Sequence, residues 1–229
     1  MNIRQIRKAI QKPFLKLLYK QQGYLKAYTK HTDMRVSADP HNAIGGMWDE
    51  IGQLQFHYLV GKGLKPESSM LDIGCGTLRG GIYFIKYLDE AKYHGIDLSP
   101  AVIKQAKVHV QEQGQEGKNP TLLVNTAMNL KFEDFQNQRF DYLLAQSVFT
   151  HLLPEHIDEC FQHVGSVMHE QSCFYFTYHE SETFVERSIK DFSYPFSQLK
   201  EIAEKHGLKI ERLDDYNHPR GQVMARIMI

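Results

Sequence analysis

A glycine-rich segment between two predicted elements constrains the fold more than any other part of the chain. The apolar residues Met70, Leu71 and Ile73 lead into Gly74 and Gly76, and a helical pattern follows. Twenty-one residues after Gly76, a second short apolar segment ends in Asp97. Glycines at a strand-to-helix turn let backbone amides approach a ligand, and an acid at the next strand tip can bind both ribose hydroxyls. These segments predict a parallel sheet that binds a nucleoside-containing ligand across its carboxyl ends.

The spacing of the glycines distinguishes between cofactors. A dinucleotide-binding turn has the pattern Gly-x-Gly-x-x-Gly. Here the glycines stand at 74, 76 and 80, and Arg79 occupies the third position of that pattern. Asp72, two residues before the first glycine, is unfavourable beside a pyrophosphate but suits a ligand with an ammonium group. The spacing therefore favours an amino-acid-bearing nucleoside over a dinucleotide.

The segment 72–77, Asp-Ile-Gly-Cys-Gly-Thr, resembles the first motif of class I S-adenosylmethionine-dependent methyltransferases. Asp97 resembles their ribose-binding acid, and a third glycine that is frequent in the family is replaced by Leu78. The resemblance covers about residues 45–229 and implies S-adenosylmethionine as cofactor. The residues expected to bind it at these two strand tips are Asp72, Gly74, Cys75, Gly76, Asp97 and Leu98.

The remaining pattern alternates between strands and helices. Strands are predicted at about 69–73, 92–97, 121–126, 140–146, 171–178, 208–214 and 222–229, and helices at about 47–60, 78–88, 99–114, 154–170 and 196–206. The short 217–221 link permits only an antiparallel last pair, as in the class I family. We predict an α/β fold: a doubly wound, seven-stranded, mainly parallel Rossmann-like sheet with a reversed last strand and an N-terminal helical arm.

Composition limits the class of protein. The 229 residues suit one domain, which we place at 45–229 after an arm and linker at 1–44. The 27 basic and 27 acidic residues argue against a general nucleic-acid binder. Three cysteines without paired spacing suggest a reducing compartment. No apolar run approaches the ~20 residues of a membrane span, so a cytoplasmic protein is predicted.

The arm carries an uneven share of the charge. Residues 1–31 contain eight Lys or Arg and no acid, so the remainder has 19 basic against 27 acidic residues, a net charge of −8. Apolar residues recur at helical spacing, which predicts a basic amphipathic helix interrupted at Pro13. Such a helix can bind an anionic membrane surface through residues 1–30, pack on its own acidic domain, or contact a second subunit in a homodimer. The apolar cluster around Phe14 and Leu18 slightly favours packing on its own chain.

Two later strand ends supply further candidates. Thr126 and Ala127 follow the third predicted strand and are the candidates for the adenine, although the acid usual there in the family is absent. Gln146, at the tip of the fourth strand, can bond the methionine end of the cofactor. His151 follows it, and a neutral imidazole there can accept a hydroxyl proton during transfer. A helix-capping role near Pro154 is the equal alternative for this histidine.

Acceptor-binding candidates are Trp48, His179, His218 and Arg220. Arg220 can hold an anionic group by a bidentate contact, or it can pin its own loop. Trp48 can cover the site or belong to the core. His156, Cys160 and His163 have a spacing that could suit metal ligands, but Cys160 lies on an apolar helix face and is expected in the core, so no metal site is predicted.

These residues lead to a prediction of methyl transfer from S-adenosylmethionine to a hydroxyl or amine of a small molecule or glycan. A nucleic-acid methyltransferase is the second hypothesis, which the neutral charge disfavours. The third is a non-catalytic S-adenosylmethionine-binding module that docks on a membrane or partner through the basic arm.

Overall fold

The computed structural model describes residues 17–38 and 46–229. The first part of the predicted basic helix, with Pro13 and Phe14, and most of the linker therefore lie outside the described residues. The helices are α1 (Tyr24–Ala38), α2 (Trp48–Gly61), α3 (Gly81–Tyr87), α4 (Pro100–Glu112), α5 (Pro154–Val164) and α6 (Phe196–Lys205). The strands are β1 (Met70–Ile73), β2 (Tyr93–Asp97), β3 (Thr121–Val124), β4 (Tyr142–Ala145), β5 (Cys173–His179), β6 (Val185–Ser188), β7 (Asp191–Ser193), β8 (Lys209–Leu213) and β9 (Gln222–Met228).

Seven of the strands form one sheet in the order β3-β2-β1-β4-β5-β9-β8. The pairs from β3 to β5 are parallel, whereas β9 runs antiparallel to both β5 and β8. The predicted doubly wound sheet with a reversed last strand is confirmed. Its strand order changes direction at β1 and β4, so the carboxyl ends of these strands border a crevice that is suited to a ligand.

Both faces of the sheet are covered, because adjacent residues of each buried strand point to opposite sides. Leu143 of β4 packs with α5 and α6 in one fully buried cluster. Its neighbour Leu144 packs with α2, α3 and α4 in a second cluster on the other face. The apolar runs of the sequence are therefore strands buried on both sides, as a parallel sheet requires.

Three features differ from the sequence-based prediction. The helix expected from residue 78 begins at Gly81, because Leu78 has a φ of 68° and cannot start a right-handed helix. The hairpin of β6 and β7, joined at residues 189–190, was not predicted. The helix expected to reach residue 170 ends at Val164 and continues as a short 3₁₀ turn to Val167.

Helix α1 packs on the same chain. Asp33 accepts hydrogen bonds from the Ser99 hydroxyl and from the Ala101 amide at the start of α4. At the other end of α1, the Tyr24 hydroxyl donates to the carbonyl of His151 at 2.6 Å. Thus the described part of the basic arm lies across the carboxyl edge of the sheet. Across residues 17–38 and 46–229, no helix combines the length and apolar character needed to cross a membrane.

Candidate active site

A cavity of about 550 Å³ lies at the carboxyl ends of β1, β2, β4 and β5, beneath α1. It brings together all but two of the residues predicted from the sequence. Those that line it are Asp72, Gly74, Cys75, Gly76, Asp97, Leu98, Thr126, Ala127, Gln146, His151, His179 and Arg220. The strand topology explains this convergence, because parallel strands present their following residues at one edge.

The turn after β1 adopts a conformation that favours glycine. Gly74 and Gly76 have φ values of 70° and 59°, in the left-handed region. A Cβ on Gly74 would lie 2.5 Å from Cγ2 of Val148, so a side chain there would also clash. Leu78 shares this left-handed conformation, which favours glycine, and its side chain is fully buried.

Asp97 is held in a fixed orientation at the tip of β2. Its Oδ1 accepts the Ser99 amide at 2.9 Å and its Oδ2 accepts the Gly76 amide at 3.2 Å. Each oxygen keeps a second acceptor position, which matches the two hydroxyls of a ribose. Burial raises the pKa of Asp97 to about 6, although these amide bonds act in the opposite direction.

Asp72 is the second carboxylate of the cavity and is 4% exposed. Its Oδ2 accepts a hydrogen bond from the Tyr93 hydroxyl at 2.6 Å. Burial raises the pKa of Asp72 to about 7, and the negative charge of Asp97 acts in the same direction. A cationic ligand group beside the two acids would stabilise their ionised forms.

The turn after β3 contributes Thr126 and Ala127 to the cavity wall. The chain then returns to the same wall with Glu133 and Asp134, in a 3₁₀ turn. Two acids therefore line the cavity a few residues beyond the strand tip that holds Thr126 and Ala127. No local signal at the strand tip indicates these two acids, so the sequence did not reveal them.

Gln146 belongs to a polar network at the tip of β4. Its Nε2 donates to Gln222 Oε1 at 3.2 Å, and its Oε1 accepts the Tyr216 hydroxyl at 2.8 Å. Gln222 Oε1 also accepts the hydroxyls of Thr177 and Ser147 at 2.7 and 2.9 Å. The network fixes the amide of Gln146 in place and joins β4, β5 and β9 beneath the cavity.

His151 lies in a 3₁₀ turn after β4, with its ring held by the β6–β7 hairpin. Its Nδ1 is 2.7 Å from the carbonyl oxygen of Lys190 and 3.2 Å from Asp191 Oδ1. Since a carbonyl can only accept, Nδ1 carries the proton and Nε2 of the neutral ring is the acceptor. A general base needs this tautomer, because Nε2 can then accept a proton. His151 contributes no side-chain cap to α5, since that helix has Leu153 at its N-cap position.

Helix α1 supplies lining residues that the sequence did not indicate. Tyr24, Tyr28 and Arg35 all face the cavity. The ring centroid of Tyr28 is 5.4 Å from that of His151, and the ring of Tyr24 stacks on His156 at 5.7 Å. An amphipathic pattern reveals which face of a helix is apolar, but not which surface it covers, so no sequence signal identified these residues.

Two predicted acceptor-binding residues do not line the cavity. Trp48, at the start of α2, packs its ring edge-on against His109 at 5.4 Å. His218 is 7% exposed and stacks on Tyr216 at 5.9 Å, while its Nδ1 accepts the Arg220 amide. Burial lowers the pKa of His218 to about 4, and the nearby Arg79 and Arg220 add to this effect, so its ring is neutral. Neither residue is among those that line the cavity.

Among the residues that the structure describes, no group of three or more His, Cys, Asp or Glu side chains is arranged to hold a metal ion. Cys160 is fully buried in the apolar cluster beside α5.

Comparison with known proteins gives one family match. A family model described as a methyltransferase domain matches residues 64–213. This range includes β1 to β8 and most of the residues that line the cavity, but not α1.

Solved structures share the fold at low sequence identity. An S-adenosylmethionine-dependent methyltransferase from Leishmania major has a TM-score of 0.70 at 14% identity, over 93% of this chain and 86% of its own. A magnesium protoporphyrin IX methyltransferase from Synechocystis with bound S-adenosylmethionine has a TM-score of 0.60 at 17% identity, covering 78% and 80%. An S-adenosylmethionine-dependent methyltransferase from Clostridium acetobutylicum has a TM-score of 0.60 at 14% identity, covering 89% and 98%.

Proposed function

From the premise that this chain belongs to the methyltransferase-domain family, we propose that it transfers a methyl group from S-adenosylmethionine to a hydroxyl or amine of a small molecule or glycan. The predicted family and enzyme class agree with this membership and with the fold. The observation that carries the proposal is that Asp97, the glycine turn and His151 line one cavity.

The residues of the cavity fit this cofactor. Asp97 offers two fixed oxygens to the ribose hydroxyls, and Asp72 offers a buried carboxylate to the ammonium group. Burial raises the pKa values of both acids, so a positive charge beside them would stabilise their ionised forms. A ligand with an ammonium and a sulfonium group supplies that charge. The Synechocystis neighbour, solved with bound S-adenosylmethionine, supports the same assignment.

When bound, S-adenosylmethionine supplies a methyl group on a positively charged sulfur. Its carbon–sulfur bond would break as the methyl carbon bonds to the acceptor oxygen or nitrogen, and the protein's part is to take up the acceptor proton. His151 takes the acceptor proton at Nε2, because the Lys190 carbonyl holds the other ring proton on Nδ1. Asp191 stabilises the resulting imidazolium from 3.2 Å. Beneath α1, the cavity also limits the access of water to the reacting groups.

A paired assay distinguishes this function from its alternatives. S-adenosylmethionine binding is measured by calorimetry, and methyl transfer is measured with labelled cofactor on small hydroxyl and amine acceptors, glycans and RNA. Binding with transfer to a small molecule or glycan supports the proposal. Transfer to RNA alone would support a nucleic-acid enzyme, and binding without transfer to any acceptor would support a non-catalytic module. Failure to bind S-adenosylmethionine would refute all three.

A further inference from the structure

Two cations of the cavity wall belong to the two elements that contact His151, helix α1 and the turn between β6 and β7. Arg35 comes from α1 and Lys190 from the turn between β6 and β7, and both line the cavity. The Lys190 carbonyl is the group bonded to His151 Nδ1, and the Lys190 ammonium lies over the ring of Tyr28, 6.0 Å from its centroid. Two elements far apart in the sequence thus bring positive charge to the side of the general base.

Asp191 is a carboxylate that contacts both Lys190 and His151. Asp191 Oδ1 is 3.7 Å from Lys190 Nζ and 3.2 Å from His151 Nδ1. The other oxygen of Asp191 accepts the hydroxyl of Ser188. The negative charge of Asp191 is therefore shared between Lys190 and an imidazole that becomes positive during the reaction.

The environment of Lys190 makes its charge costly in the absence of a ligand. Its side chain is 20% exposed, and burial of a charged group is costly unless an opposite charge compensates it. Burial lowers the pKa of Lys190, and the charge of Arg35 lowers it further, whereas Asp191 raises it. A ligand anion at this point would restore the balance of charge.

We propose that the methyl acceptor carries an anionic group, a carboxylate or a phosphate, which binds between Arg35 and Lys190 beside His151. This inference rests on the proposed methyl-transfer function and narrows its acceptor class. Arg35 offers a planar guanidinium that suits bidentate contact with such groups, and Lys190 offers a point charge. Asp72 and Asp97 repel the same anion from the cofactor side. The anion therefore also orients the acceptor, with its reactive hydroxyl or amine towards His151.

The test measures anion binding to the purified full-length protein by calorimetry, with inorganic phosphate and benzoate as probes and benzyl alcohol as the neutral match for benzoate. Each titration is made at constant ionic strength, with and without saturating S-adenosylhomocysteine. The variants are Lys190→Met, Arg35→Met and Lys190→Arg. The matched control is Lys200→Met, since Lys200 is exposed on α6 and pairs with Glu204.

We expect phosphate or benzoate to bind and benzyl alcohol not to bind, and the tighter of the two anions identifies the acceptor group. Lys190→Met and Arg35→Met should each weaken the anion about ten- to hundredfold, because each removes a charge-assisted contact. Lys190→Arg should retain most of the affinity and Lys200→Met all of it. Melting temperatures identify any variant that fails to fold. Lys190→Arg keeps the positive charge, so its affinity shows whether the charge of Lys190 or its structural role matters for anion binding.

Absence of anion binding to the wild type, or unchanged binding in the Lys190→Met and Arg35→Met variants, would overturn the inference. Loss of anion binding in Lys190→Arg as well as in Lys190→Met would show a structural role and would also overturn it. Failure of S-adenosylhomocysteine to bind would instead refute the proposed function, and the titrations without it would still report on the anion site.

Discussion

Replacing Asp97 with Ala tests the ribose-binding role proposed for this carboxylate. In the wild type, the amides of Ser99 and Gly76 fix its two oxygens at 2.9 and 3.2 Å and leave one acceptor position on each. Two ribose hydroxyls can therefore each donate one charge-assisted hydrogen bond. Their loss should cost about 2–4 kcal/mol of binding free energy, or roughly 30- to 1000-fold in the Kd of S-adenosylhomocysteine.

The affinity of the wild type should also depend on pH, with a sign set by the raised pKa values. Asp97, with a pKa of about 6, and Asp72, with a pKa of about 7, bind the ligand as carboxylates. At pH 5, protonation of Asp97 alone should weaken binding about tenfold, and protonation of Asp72 adds to this.

The folding stability of the ligand-free protein should depend on pH in the opposite sense to the affinity. The stability contributed by these raised pKa values is fully present below about pH 4 and is lost as the pH rises through 6 and 7.

Calorimetric titration with S-adenosylhomocysteine at pH 8 and pH 5 measures the affinity of the Asp97→Ala variant and the pH dependence of the wild-type affinity. Asp158→Asn is the control, because Asp158 lies on α5 outside the cavity lining and pairs with Lys205. It should bind as the wild type does. Equal affinity in the Asp97→Ala variant at pH 8, or a wild-type affinity that is the same at both pH values, would refute the reasoning from the geometry of Asp97.

Three further predictions concern the base and the arm. His151→Ala should lower kcat by about 10²–10⁴ and leave the affinity for S-adenosylhomocysteine near that of the wild type, and unchanged turnover in steady-state kinetics would contradict the base. Asp191→Asn should lower kcat about ten- to hundredfold, because the imidazolium loses a charge at 3.2 Å while the Lys190 carbonyl still holds the tautomer; a wild-type kcat would exclude this role. Deletion of residues 1–30 should lower the melting temperature by about 5 °C or more, because it removes Tyr24 and buried Leu18. Sedimentation with anionic vesicles that is lost on deletion, at an unchanged melting temperature, would instead support lipid binding by the arm.

The chain's local pattern determined the sheet and the cofactor end of the cavity. Apolar runs that end at Gly74 and Asp97 identify β1 and β2, because a strand end, a glycine turn and a helix start are all encoded within a few residues. Since parallel strands present their following residues at one edge, the order of the elements also places Gln146 and His151 near them. The strands and the turn could be predicted because each is encoded by residues that are close together in the sequence.

Other features depend on contacts that no local pattern encodes. The hydroxyl of Tyr24 bonds a carbonyl 127 residues away, and the carbonyl of Lys190 reaches Nδ1 of His151 across 39 residues. The polar 180–195 segment did not indicate the β6–β7 hairpin, and the basic arm did not indicate that α1 would cover the cavity. Trp48 was a reasonable candidate by position, yet its ring packs on His109.

The sequence by itself therefore determined the parallel sheet, the glycine turn, the acid at the end of β2 and the order of the elements. The tertiary structure alone decided the tautomer of His151, the charge beside it and the surface that α1 covers. The physical reason is that hydrogen bonds of 2.6–3.2 Å and the burial of charged groups depend on the packing of distant segments. That packing is fixed by the burial of the apolar faces of the elements, whereas local propensity sets only the elements themselves.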